Sequence, residues 1–187
     1  MSTLCVDEQL QELMAAMQGD DGTELAHADR LIAQYPEDPR LHFLRGSILA
    51  SIGRPLEAMP ALSRAVELAP DFAIARFQLG FFQLTSGEAT DALGTWGPLA
   101  LLPVDHYLRK FVAGLTHLIR DEFGEAAIQL REGIAANQEN LPLNRDMQLI
   151  VEQIDAIMAG GPAGGRGDSA SATSFLLDQL SNRGSVH

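Results

Sequence analysis

The sequence predicts an all-α fold of stacked antiparallel helix pairs, and three observations carry that prediction. The first is a step of 34 residues: Gly46, Gly80 and Gly114 follow it, as do Phe43, Phe77 and Phe111. Ala58, Ala92 and Ala126 keep the same step, and so do Glu57, Asp91 and Glu125, and Leu62, Trp96 and Leu130. A period of this length marks one supersecondary unit repeated along the chain, each copy leaving an apolar face for its neighbour to cover. The second is helical apolar spacing within the units. Leu41, Leu44, Ile48 and Leu49 fall on one face, and Leu56, Met59, Leu62 and Val66 on the next. The third is punctuation. Gly53 and Gly87 separate helical stretches, Pro55 stands where a first-turn proline gives up no needed N–H, and Pro70 ends the unit.

In chain order, a degenerate first unit covers about residues 5–38, with helical stretches over 5–19 and 23–36. Asp21-Gly22-Thr23-Glu24 reads as a capping box for the second stretch. Three clear units follow at 39–72, 73–106 and 107–140. In the middle one, Gly94, Gly97 and Pro98 fall inside the second helix. An interior proline costs about 3 kcal/mol, so a bend or an early 3₁₀ turn is expected there, with a milder effect at Pro60. A capping helix over 144–158 would cover the last open apolar face and complete a domain spanning 1–158. Beyond Met158 the composition changes abruptly: 159–171 is a flexible Gly-rich linker and 172–187 a tail. Thr173 or Ser174 can cap a short amphipathic helix there, whose apolar side carries Phe175, Leu176, Leu177 and Leu180.

These residues resemble a known family, the tetratricopeptide repeat proteins. The stretch from Leu44-Arg45-Gly46 through Gly53, Glu57-Ala58, Leu62, Ala65 and Pro70 follows the family pattern. The second unit keeps Leu79-Gly80, Gly87, Asp91-Ala92 and Trp96, and the third keeps Gly114, Glu125-Ala126 and Leu130. The third unit departs at Asp121, where the pattern has glycine, and at Gln138, where it has proline. His42, Arg76 and Lys110 replace the aromatic of the fourth position. The resemblance implies a right-handed superhelix whose first helices line a concave, peptide-binding groove. Carried onto this chain, the family's groove positions fall on Phe43, Ser47, Ile74, Phe77, Phe81, Leu84, Leu108, Phe111, Leu115 and Leu118. Family members that clamp a C-terminal carboxylate have Lys and Asn where this chain has Phe and Ser or Leu, so that clamp is absent. An apolar wall of this kind suits an amphipathic helix or an extended segment with apolar anchors. The phenylalanine row is either that wall or core. The basic row His42, Arg76 and Lys110 is either an edge for an acidic partner or is paired with Asp38, Asp71 or Asp105.

Charge and motifs exclude several classes. With 13 Lys+Arg against 25 Asp+Glu, the net charge of −12 disfavours sequence-independent nucleic-acid binding and docking on anionic lipid. The single cysteine, Cys5, allows no intrachain disulfide and no cysteine-based metal cluster. His27, His42, His106, His117 and His187 form no metal-ligand pair, no nucleophile–base motif is present, and the glycines of 159–171 lack a phosphate-loop ending. Arg166-Gly167-Asp168 is a coincidental tripeptide in a chain that shows no secretory signal. The expectation is a non-enzymatic cytoplasmic adaptor or scaffold without cofactor or metal. It would bind a protein or peptide with apolar anchors, its groove self-occupied by its own tail in one version. A homodimer through the tail or the apolar face stays open. A bacterial secretion-type chaperone for a hydrophobic client and a purely structural subunit of an assembly are the alternatives.

Overall fold

Helical periodicity carries through to an all-helical chain. This computed structural model describes residues 4–19 and 22–160, and among them there are nine α-helices, one 3₁₀ helix and no strand. The helices are α1 (Asp7–Ala16), α2 (Glu24–Gln34), α3 (Pro39–Ser51), α4 (Pro55–Leu68), α5 (Ala73–Thr85), α6 (Ala89–Trp96), α7 (Tyr107–Ile119), α8 (Phe123–Ala136) and α9 (Leu141–Met158). The 3₁₀ helix, Gly97–Leu101, follows α6 directly. The chain divides within α5 into two compact units, one ending at Phe82 and the other starting at Gln83. Among the described residues no helix is long and apolar enough to cross a membrane.

In the first unit α1 packs on α2, α2 on α3, and α3 on α4. Pro39 opens α3 in its first turn, and the Asp38 side chain caps it by accepting the Arg40 N–H. The decisive contact lies between α3 and α4. A Cβ placed on Gly46 would sit 2.7 Å from Leu62 Cγ and 2.9 Å from its Cδ2, so Leu62 occupies the space that a side chain at 46 would need. The α4 face turned inward is small, namely Ala58, Ala61, Leu62 and Ala65. This corrects the expected apolar face. Leu56 is 80% exposed, because the close approach selects alanines and leaves the first turn of α4 in water. That same exposure explains why α4 runs unbroken through Pro60: the carbonyl that proline leaves unpaired belongs to the solvated first turn.

In the second unit α6 and the 3₁₀ helix pack on α7, α7 on α8, and α8 on α9. The glycine–leucine contact recurs: a Cβ on Gly114 would lie 2.7 Å from Leu130 Cγ and 3.1 Å from the Ala126 carbonyl oxygen. The bend expected around Gly94–Pro98 takes the form of a change of helix type. α6 stops at Trp96, and Pro98 falls in the first turn of the 3₁₀ helix, where its missing N–H does no harm. α9 begins at Leu141, three residues before the expected start, with Pro142 in its first turn. Asn137, buried at the α8–α9 turn, fixes that start. Its Oδ1 accepts the N–H groups of Glu139 (3.2 Å) and Asn140 (3.0 Å), and its Nδ2 donates to the Asn140 carbonyl (2.7 Å). At α2, Asp21 of the expected capping box lies outside the described residues. The helix starts at Glu24 with Thr23 at the cap, later than that box requires, and the Thr23 side chain makes no cap hydrogen bond.

Three turns at the 34-residue step share one geometry. Arg54 N–H donates to Leu49 O (2.8 Å), Glu88 N–H to Gln83 O (2.8 Å) and Glu122 N–H to His117 O (3.0 Å). In each the preceding residue has positive φ: 74° at Gly53, 86° at Gly87 and 57° at Asp121. This is the left-handed helix ending that glycine fills without strain. At the third turn Asp121 takes the same conformation, aspartate being one of the few side chains that tolerate it.

The glycines therefore divide by what surrounds them. Gly114→Ala is expected to lose about 1–2 kcal/mol in urea unfolding, the clash with Leu130 outweighing alanine's better helix propensity. Gly94→Ala, whose added Cβ meets nothing within 4 Å, is expected to gain up to about 1 kcal/mol.

Candidate functional site

The residues that could present an aromatic wall begin on α3. Phe43 is half-buried, its ring 5.0 Å from that of Phe72 and tilted by 51°. One turn later Ser47, also half-buried, donates from Oγ to the Phe43 carbonyl (3.1 Å) and to Gln78 Oε1 (3.3 Å), which ties α3 to α5. On α5, Ile74 and Phe81 are half-buried, and the Phe81 ring stacks on Phe77 at 6.2 Å and 9°. In the first unit, then, Phe43, Ser47, Ile74 and Phe81 keep surface that a ligand can touch.

The other candidates are sunk. Phe77, Phe111, Leu115 and Leu118 have no exposed surface, and Leu84 and Leu108 have almost none. Tyr107 meets Phe111 edge-on at 5.9 Å and 77°. The row of phenylalanines is thus not one surface. A Cβ on Gly133 would fall 2.5 Å from Phe111 Cδ1, so the ring lies in the space that glycine leaves on α8. Two steps earlier in the 34-residue register stands Ala65, buried on α4, and Phe43 packs on Phe72 instead. Gly133, at a place held by alanine in the first clear unit, was the signal in the sequence for this divergence.

The side chains of the basic row are engaged inside the protein. His42 Nε2 lies 2.8 Å from the Pro36 carbonyl oxygen, and Arg76 Nη2 donates to the Pro70 carbonyl at 2.7 Å, one 34-residue step on. Lys110 pairs with Glu132 on α8 at 2.5 Å. The first two side chains therefore close the turn preceding their own helix. The tail motif Phe175, Leu176, Leu177 and Leu180 lies outside the described residues, as does the linker beyond Gly160.

Sequence reasoning passed over the charged cluster at the α2–α3 turn. Asp38 has no exposed surface, yet it accepts hydrogen bonds from Arg40 Nε (3.0 Å) and Nη2 (2.8 Å) and from the N–H groups of Arg40 (3.0 Å) and Cys5 (2.9 Å). Burial opposes its charge, but the bonds from the Arg40 side chain and from the two N–H groups outweigh it. They hold the carboxyl below its ordinary value of 3.8. The signal available was Asp38-Pro39-Arg40, a helix-capping aspartate with a cation two residues on. Burial, and then the charge of Asp38, push the Cys5 thiol above its ordinary 9.0, which makes it a poor nucleophile. Among the described residues no group of three or more His, Cys, Asp or Glu side chains could hold a metal ion. What the accessible aromatic face offers a ligand is apolar area with one hydroxyl–amide pair beside it. Comparison with models of known protein families and with curated proteins finds no match.

Because the folded-state value of Asp38 is depressed, its contribution to stability is complete above the unfolded value near 3.8 and is lost as pH falls through the lower folded value. Helicity followed against urea at neutral pH is expected to show Asp38→Ala costing about 2–4 kcal/mol. As pH falls below 3.8 the difference from the parent chain narrows. Gly133→Ala is expected to cost about 1–3 kcal/mol by displacing the Phe111 ring.

Proposed function

We propose that the chain is a non-enzymatic adaptor of the tetratricopeptide type, a right-handed array of helix pairs that captures an apolar or amphipathic peptide. Two features support the architectural part of this reading. The same left-handed turn recurs at Gly53, Gly87 and Asp121, and the same glycine–leucine approach recurs at Gly46–Leu62 and Gly114–Leu130. The observation that carries the binding part is the accessible surface of Phe43, Ile74 and Phe81 in the first unit. Aromatic side chains presented at a surface can anchor a partner at roughly 2 kcal/mol or more each. The partner surface is accordingly narrower than the row read from the sequence: Phe43, Ser47, Ile74 and Phe81 would bind, while Phe77, Phe111, Leu115 and Leu118 would hold the fold. The cytoplasm, where Cys5 would stay a thiol, is part of the proposal.

One alternative has an observation in its favour. The complete burial of Phe77 and Phe111 suits a structural subunit in which the aromatic row serves only packing. The two readings part on Phe81. Phe81→Ala in the full chain is expected to keep its helicity and to weaken binding of a labelled peptide of residues 172–187 by roughly 30-fold, the equivalent of about 2 kcal/mol. Phe77→Ala is expected to lose about 3–5 kcal/mol of stability. Unchanged peptide affinity in folded Phe81→Ala favours the structural subunit.

A further inference from the structure

The cluster around Asp38 does more than cap α3, because it grips a separate piece of chain. The segment entering α1 is extended, with Val6 at φ −70° and ψ 148°. Asp38 Oδ2 accepts the Cys5 N–H at 2.9 Å, and Arg40 Nη2 donates to the Cys5 carbonyl at 2.7 Å. One residue thus has both of its backbone groups bonded by side chains from the α2–α3 turn. Arg40 Nη1 reaches on to Asp7 at 3.2 Å, in the first turn of α1. Backbone pairing of this kind holds an extended segment whatever its side chains are.

Side chains supply the selectivity. Cys5 is buried together with Leu10 and Leu13, and these join Ala28 and Leu31 of α2 and Leu41 and Ile48 of α3 in one apolar cluster. The pattern seated there is a small apolar residue on extended chain, followed by apolar helix positions five and eight residues later. The attachment of α1 is slight by comparison with that of α3. It buries Leu10 and Leu13 and has no side-chain cap, whereas α3 buries Leu41, Gly46, Ile48 and Leu49 and is locked to α4 through Gly46. Undocking α1 would leave the α3–α4 contact intact, which places α1 at the low-stability end of the unit.

We infer that the α2–α3 face, with Asp38 and Arg40 at its edge, is a docking site for an amphipathic helix led by an extended residue, and that α1 is a detachable strap occupying it in cis. The occupant in trans is a partner helix built on the α1 pattern. The site belongs to the first unit and uses residues other than Phe43, Ser47, Ile74 and Phe81, so its failure leaves the peptide-binding proposal untouched.

Two measurements on the full chain test it. In the parent protein, hydrogen exchange is expected to show α1 amides protected at least about ten-fold less than those of α3. In Leu10→Asp/Leu13→Asp, α3 and α4 are expected to stay folded. A labelled peptide of residues 4–17 is then expected to bind saturably, at least about ten-fold more tightly than to the parent, with Asp38→Asn in the same background removing that gain. Equal protection of α1 and α3 would overturn the inference. So would loss of α3–α4 structure in the double variant, or peptide binding indifferent to Asp38→Asn.

Discussion

Within each of the two helix pairs α3–α4 and α7–α8, a glycine on the first helix lies beneath a leucine on the second, and that approach sets the spacing to which the rest of the pair conforms. At Gly46 and again at Gly114 a single added carbon would fall within 3 Å of the facing leucine. Packing this close requires small residues around it, and α4 and α8 provide Ala58, Ala61 and Ala65, and Ala126, Ala127 and Gly133. It also requires the chain to reverse over a short turn, which a residue in the left-handed conformation at 53 and 121 makes possible. Larger apolar side chains of the first helices are buried as well: Leu41 and Ile48 toward α1 and α2 in one unit, and Phe111, Leu115 and Leu118 in the other.

The available surface follows from how that volume is shared. Phe43 and Phe111 occupy the same place in the repeat, yet the glycine at 133 admits Phe111 into the α7–α8 seam while Phe43 stays half-exposed beside Phe72. The accessible apolar surface is therefore a remainder, what the seam does not absorb. Charge shows a similar division. Arg40, Arg45, Arg54, Arg64, Lys110 and Arg131 are each within ion-pair distance of a carboxylate. Apart from the Arg40–Asp38 pair, whose carboxylate is buried, these pairs are exposed and add little stability. With 25 acidic against 13 basic side chains, the exterior keeps a large negative excess, which discourages self-association of exposed apolar side chains such as Leu56, Leu101 and Val104.

Helix type and most helix limits were legible in the sequence because they rest on local physics. Period-34 glycines and alanines, the first-turn prolines at 39 and 55, and the breakers Gly97 and Pro98 each act on the backbone within a few residues. Elements whose limits depend on a partner farther along the chain were legible only in part. The start of α9 depends on the side chain of Asn137, and the orientation of α4 on which of its faces fits against Gly46. The candidate binding residues were the least legible, since ten positions drawn from four places of the repeat divide into four accessible and six buried.

By itself the sequence determined that this chain is all-helical, where its turns lie, and which glycines and alanines sit at the close approaches. Those features follow from backbone propensity and from periodic spacing, which act locally and repeat. Only the tertiary structure decided which phenylalanines face water, that His42 and Arg76 close the turns before their own helices, and that Asp38 and Arg40 bind the backbone of Cys5 from 33 and 35 residues away. Burial and charge pairing are properties of neighbours in space. A 34-residue period makes positions equivalent along the chain, while a single methyl present at 65 and absent at 133 makes them different in the fold.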